Sequence, residues 1–207
     1  MNKKATRTFL LGMLAALCLG AAFTGSASAS PVWKFEGKEL TGTETIVGAA
    51  IDSSLTIPGL TTKCEDFLYK LTISNSAGTG KGELTELPLF NCTTSSPVCT
   101  VKSIAAEKLP WPAHLTTVSA SPYIVMESVK VGILYAGAEC AFGGVLVNVT
   151  GSAGGLINNT TETATFNAST LSATKTKLIA FGESIEWLGV FPTEAFEWNR
   201  EKALSVS

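Results

Sequence analysis

Apolar residues recur at every second position through most of the chain, which is the period of a β-strand with one buried face. Residues 65–74, EDFLYKLTIS, place Phe67, Tyr69, Leu71 and Ile73 on one face. Turn-forming residues separate the runs at intervals of about ten residues, as in antiparallel sheets. The pattern predicts an all-β fold with little helix, either an antiparallel β-sandwich or a β-barrel-like domain. Further strands are expected in 121–137, 143–151, 161–169, 175–182 and 184–191.

Local breaks in this pattern refine the prediction. The glycine-rich segment 75–82, NSAGTGKG, predicts a hairpin loop, and the phase change at Glu86 in the returning strand predicts a bulge. Two segments are candidates for helix. One is 104–109, which ends before a proline, and the other is 192–204, where Thr193 is the expected N-cap.

The N-terminus has the composition of a secretory signal peptide. Residues 1–29 contain three basic residues, an apolar run over 9–23, and small residues at Ala27 and Ala29 that predict cleavage after Ala29. The apolar run has 15 residues, fewer than the roughly 20 that a spanning helix needs. We therefore expect a secreted, extracellular product formed by one β-rich domain, 30–207, with no transmembrane segment after cleavage.

Charge narrows the list of partners. The chain carries 15 Lys and Arg and 17 Asp and Glu, and loss of the three basic residues of the leader leaves 12 basic against 17 acidic residues. The remaining basic residues form no cluster along the sequence. Because binding to nucleic acid requires many phosphate contacts from clustered cations, no nucleic-acid partner is expected, and an anionic membrane surface is disfavoured as well.

Four cysteines follow the leader: Cys64, Cys92, Cys99 and Cys140. An even count in an oxidising compartment predicts two disulfides. Four cysteines allow three pairings. The short, turn-rich segment between the middle two favours Cys92–Cys99, which leaves Cys64–Cys140 by elimination. A zinc site is the rival interpretation, but the spacing is not C-x-x-C and the chain has one histidine, so we expect neither a metal nor a cofactor.

Trp111 and His114 are the candidate binding residues. Prolines on both sides of Trp111 place it in a predicted loop, where the indole would pack over the disulfide or contact a ligand at the surface. His114 is the single histidine, and general acid–base catalysis would require an orienting carboxylate and usually a nucleophile beside it. Glu107 is the nearest carboxylate in sequence. This is too little to assign a catalytic residue.

A pair of carboxylates would be needed by a glycosidase, in which the two groups lie about 5–10 Å apart across the sugar. Glu65 and Asp66 are adjacent, so on a strand they point to opposite faces. Glu183 and Glu186 also fall on opposite faces. Pairs that are distant in sequence remain open at this point.

The segment from Cys99-Thr-Val to Leu109-Pro110-Trp111 resembles a group of uncharacterised secreted β-rich proteins from actinobacteria, and the likeness extends over about residues 40–145. The resemblance implies export, a β-rich fold and disulfides, and it transfers no catalytic residue. We expect a non-enzymatic, disulfide-stapled β-domain that binds cell-envelope or extracellular material, such as cell-wall glycan or an extracellular protein. The alternatives are a secreted hydrolase using distant carboxylates or His114, and a carrier of a small apolar ligand if the sheet closes around a cavity.

Overall fold

A computed structural model describes residues 30–192, 195–197, 200–202 and 204–207. The predicted signal peptide, 1–29, lies outside the described residues. Within the described stretches, no helix has the length and the apolar character needed to cross a membrane.

The described residues form sixteen strands and one short helix, so the prediction of an all-β fold with little helix is confirmed. The elements are β1 (Trp33–Phe35), β2 (Lys38–Glu39), β3 (Thr43–Ile57), β4 (Leu60–Ser76), β5 (Thr79–Glu86), β6 (Leu89–Thr94), β7 (Thr100–Ala106), β8 (Trp111–Val118), β9 (Ser121–Ala136), β10 (Leu146–Asn158), β11 (Thr163–Phe166), α1 (Ala168–Thr174), β12 (Leu178–Ala180), β13 (Glu183–Pro192), β14 (Ala195–Glu197), β15 (Arg200–Lys202) and β16 (Leu204–Val206).

The main sheet is antiparallel and closes on itself. Eight strands pair in the cyclic order β3-β4-β5-β8-β9-β10-β11-β13, and β13 returns to β3. The long strands β4 and β9 each use the rest of their length to pair with a second strand, β6 and β7 respectively, and β12 lies between β10 and β13. The sheet is therefore a closed barrel, and closure leaves these eight strands without a free edge over their paired length.

The period-two pattern was a reliable guide to the inner face. Tyr69, Leu71 and Ile73 are buried as predicted, and the 121–137 run becomes β9, in which Val129, Val131, Ile133 and Tyr135 are buried. The predicted hairpin is a two-residue turn at Ala77 and Gly78, and the predicted bulge lies in β5, where the register with β4 shifts between residues 84 and 86.

Both helix predictions are wrong in the described residues. Segment 104–109 contributes to β7, which pairs with β9, and the described parts of 192–204 are extended. Tertiary strand pairing overrides the helical propensity of such short segments. The helix that does form, α1, lies at the end of the predicted strand 161–169. The side chain of its N-cap, Asn167, accepts a hydrogen bond from the Thr170 backbone N–H at 3.0 Å. The Thr170 hydroxyl in turn accepts one from the Asn167 backbone N–H at 2.9 Å.

The predicted pairing of the cysteines, Cys92–Cys99 with Cys64–Cys140, is wrong. The bonds are Cys64–Cys92 and Cys99–Cys140. Cys64 and Cys92 are directly opposite each other in the β4–β6 ladder, with their Cα atoms 4.0 Å apart. Cys99 immediately precedes β7 and Cys140 follows β9, the strand with which β7 pairs. The register between paired strands therefore determines which cysteines are bonded, and the short segment between Cys92 and Cys99 does not.

Two asparagines attach the chain ends to the barrel. The Asn75 side chain accepts from the Trp33 N–H and donates to the Trp33 and Leu40 carbonyls, and Asn159 makes the same two-way contact with Val206. A small sheet in the order β16-β1-β2 results, and Trp33 from this sheet is buried among barrel residues.

Large side chains fill the barrel. Trp187 is buried beside Phe166 and Phe191, with ring centroids 4.9–5.7 Å apart within this trio, and its indole N–H donates to the Ser53 hydroxyl at 3.0 Å. Two interior cavities of about 40 and 20 Å³ are found among the described residues. A single water requires about 10–15 Å³ by this measure, so the cavities are too small for a lipid or a pigment.

Candidate binding surface at the disulfide end of the barrel

Trp111 is not a surface residue. It begins β8, pairs with Leu84 of β5, and has 0% of its surface exposed. Its indole N–H donates to the Glu107 carbonyl at 2.8 Å. The prediction that Trp111 contacts a ligand at the surface is therefore wrong, because β8 begins at Trp111 and its pairing with β5 directs the ring into the barrel.

His114 lies three residues further along β8 and faces outward. Its Nδ1 is 3.6 Å from Oε1 of Glu127, and both side chains are about half exposed. In the described part of the chain, no hydroxyl or thiol lies within hydrogen-bonding distance of His114. The structure thus brings a carboxylate to His114 that is distant in sequence, but it adds no nucleophile. An exposed pair of this kind contributes about 0–1 kcal/mol, and a binding role for His114 stays a prediction.

A different set of loops converges at one end of the barrel. The Cys99–Cys140 bond joins the β6–β7 loop to the β9–β10 loop. The Phe142 ring, in the β9–β10 loop, stacks on Phe181 of the β12–β13 turn, with centroids 5.6 Å apart and ring planes 22° apart. Three separate connections are therefore held together by one covalent bond and one aromatic contact.

Apolar side chains occupy this surface, which we call the aromatic end: Val98, Phe142, Val145 and Phe181. Phe181 is 56% exposed, Val98 and Val145 are about two-fifths exposed, and Phe142 is partly buried. The nearest acidic residues in sequence, Glu139 and Glu183, are exposed. This combination of apolar rings with acidic flanks suits an uncharged partner better than an anionic one.

The backbone at Phe181 is unusual for such a large residue. Phe181 and Gly182 form the β12–β13 turn with φ of 53° and 83°. A two-residue turn with both φ values positive normally carries Asn-Gly, Asp-Gly or Gly-Gly, because most side chains are strained there. A left-handed conformation costs a residue such as phenylalanine roughly 1–2 kcal/mol. The turn itself does not require an aromatic ring, and within the fold this ring stacks on Phe142 while more than half of its surface stays exposed.

A series of aromatic rings connects Phe181 to the core. Phe142 lies 6.1 Å from the Tyr135 ring, and the Tyr135 hydroxyl forms a 2.6 Å hydrogen bond with Thr62 in the interior. Burial raises the pKa of Tyr135, although the Thr62 hydrogen bond partly opposes that shift. The exposed ring of Phe181 is therefore held in place by packed aromatic residues, which reduces the side-chain entropy that Phe181 loses when a ligand binds.

No family model, no curated protein and no solved structure matches this chain in the comparisons. The candidate site consequently depends on the geometry above. Sequence reasoning missed Phe142 and Phe181, since Phe142 lies between two predicted strands and Phe181 falls inside the predicted strand 175–182. The available signal was Phe-Gly at the 181–182 turn, where Asn-Gly would be ordinary.

Proposed function

We propose that this protein is a secreted, non-enzymatic, disulfide-stapled β-domain that binds uncharged glycan of the cell envelope or extracellular material through the aromatic end. The observation that carries the proposal is the Phe181 ring, which is more than half exposed on a left-handed turn and stacked on Phe142. Aromatic faces pack against the C–H faces of sugar rings, and a rigid ring does so at low entropic cost.

The setting is supported by the sequence. The leader-like residues 1–29 and the resemblance to secreted actinobacterial proteins favour an extracellular location. Two disulfides are compatible with such a compartment. The wall polymers of actinobacteria are therefore the first material to test.

The two alternative functions have less support. A hydrolase that depends on His114 would need a nucleophile, and the described residues around this histidine supply only Glu127. A carrier of an apolar ligand would need an interior cavity of roughly 300 Å³ or more. The cavities found in the described barrel measure about 40 and 20 Å³.

Co-sedimentation with purified actinobacterial cell walls tests the proposal. The informative variant is Phe181→Asn, because asparagine suits a left-handed turn and removes the ring without disturbing the hairpin. We expect wild type to sediment with the walls and Phe181→Asn to bind at least about tenfold more weakly, equivalent to 1.4 kcal/mol.

Phe90→Asn is the matched control. Phe90 is also a phenylalanine, is 47% exposed, and lies on β6, outside the set of residues that defines the aromatic end. It should bind walls as well as wild type does. Equal sedimentation of Phe181→Asn and wild type, or an equal loss in both variants, would contradict the assignment of the site.

A further inference from the structure

A second feature lies on the outer wall of the barrel, where β9 and β10 lose register. Met126 pairs with Ala153 and Val129 pairs with Gly151, so that Glu127 and Ser128 together face the single residue between those partners. Ser128 has φ of 55°, and both bulged residues are exposed. Bulges redirect side chains and are common beside functional sites. This bulge is part of the wall of an open groove of about 700 Å³.

Lys108 is fixed at one side of the groove. It has φ of 55° and follows Glu107, whose N–H donates to the Lys130 carbonyl at 2.8 Å and whose carbonyl accepts from Trp111 at 2.8 Å. The Glu107 carboxylate pairs with the Lys130 ammonium at 2.5 Å. Lys130 is therefore neutralised, whereas the Lys108 ammonium has no acidic partner among the described residues.

Lys177 is fixed at the other side. Its carbonyl accepts from the Ser152 N–H at 3.0 Å. The close approach depends on Gly151, which has φ of 139° and where a Cβ would lie 2.2 Å from the Lys177 carbonyl oxygen. In the described part of the chain the Lys177 ammonium also lacks an acidic partner.

The strand order places these two lysines on opposite flanks. Lys108 follows β7, which lies beyond β9, and Lys177 precedes β12, which lies beyond β10. Three strand spacings of about 4.8 Å separate the flanking strands, or about 14 Å. Two flexible ammonium groups that face a groove of this width are able to reach one ligand from both sides.

Polar groups between the lysines restrict the ligand. The Ser128, Thr150 and Ser152 hydroxyls line the groove together with the Glu127 carboxylate. Glu127 would repel a bare anion, but it accepts hydrogen bonds from a ligand that has hydroxyl groups near its anionic group. With Lys130 and Glu107 cancelling each other, the local charge is close to +1, in a chain whose net charge is −2.

We propose that this lysine groove binds an acidic sugar unit of an extracellular polysaccharide, with Lys108 and Lys177 on its carboxylate or phosphate and Glu127 on its hydroxyls. Ile179, which also lines the groove and is partly exposed, supplies an apolar surface for the C–H face of the ring. The site is separate from the aromatic end and does not depend on the function proposed for that surface.

Calorimetric titration of the purified full chain with three probes tests the inference. Trigalacturonate carries carboxylates, a glycerol phosphate trimer carries phosphates, and maltotriose is neutral. We expect binding of at least one acidic probe, weakened by added salt, and about tenfold or more weaker in Lys108→Gln/Lys177→Gln. The acidic probe that binds identifies the anionic group.

Lys63→Gln/Lys102→Gln is the matched control, since it removes the same charge from two exposed lysines on β4 and β7 that do not line the groove. It should leave affinity within about twofold of wild type. Thermal melts of both double variants establish that each is folded. Equal loss in the two double variants, unchanged affinity in Lys108→Gln/Lys177→Gln, binding of maltotriose that is as strong as that of the acidic probes and is weakened equally by Lys108→Gln/Lys177→Gln, or no heat with either acidic probe at about 10 mM would overturn the inference.

Discussion

Replacing Trp111 with alanine is expected to unfold a large part of the population, because the side chain fills the barrel. Truncation of a fully buried tryptophan to alanine costs about 3–5 kcal/mol, through lost transfer free energy and the cavity left behind. Trp111 is 0% exposed, so the full range applies. Loss of the 2.8 Å hydrogen bond to the Glu107 carbonyl adds about 1 kcal/mol. The total approaches the whole stability of a domain, which is about 5–15 kcal/mol.

Urea unfolding followed by far-ultraviolet circular dichroism measures this loss. Trp111→Phe keeps most of the apolar volume and removes the indole N–H, so it should cost less than the alanine variant. Phe181→Asn changes an exposed residue and should cost little stability. Its free energy of unfolding should stay within about 0.5 kcal/mol of wild type or rise, because asparagine relieves the strain of a phenylalanine in the left-handed conformation. A cost below about 1 kcal/mol for Trp111→Ala would refute the placement of this residue in the core.

Two further predictions concern the disulfides and pH. Peptide mapping without reduction should recover Cys64 linked to Cys92, and a Cys92–Cys99 peptide would contradict the connectivity. Removing the second bond with Cys99→Ala/Cys140→Ala should lower the free energy of unfolding by about 4 kcal/mol, as chain entropy predicts for a separation of 41 residues. Burial raises the pKa of Tyr135 above its ordinary value of about 10, so as pH rises the unfolded chain loses this proton before the folded chain does. The contribution of Tyr135 to the free energy of unfolding is therefore complete below about pH 10 and is lost as pH rises from 10 through the folded-state pKa. Urea unfolding across this window should show a shallower alkaline decline for Tyr135→Phe than for wild type, and identical slopes would refute the assignment.

Local patterns were sufficient for most of the strands. A strand's side chains alternate between two faces, so the burial of Val129, Val131, Ile133 and Tyr135 in β9 follows from its own sequence. The same holds for the Ala77–Gly78 turn and for the neighbouring bulge in β5. Asn167 and Thr170 also carried a local capping signal, which a strand assignment to this segment overlooked.

The sequence by itself determined that the chain forms strands with one apolar face and that four cysteines lie beyond residue 29, because both properties are local or compositional. Only the tertiary structure decided closure of the sheet and the Cys64–Cys92 and Cys99–Cys140 pairs, since these depend on register between distant strands. The same long-range pairing turned Trp111 into the core and left Phe181 outside. It also placed Lys108 and Lys177 on two flanks of one groove, although no cluster of cations exists along the sequence. Contacts between residues far apart in the chain have no periodic signature, and both proposed binding surfaces are made of such contacts.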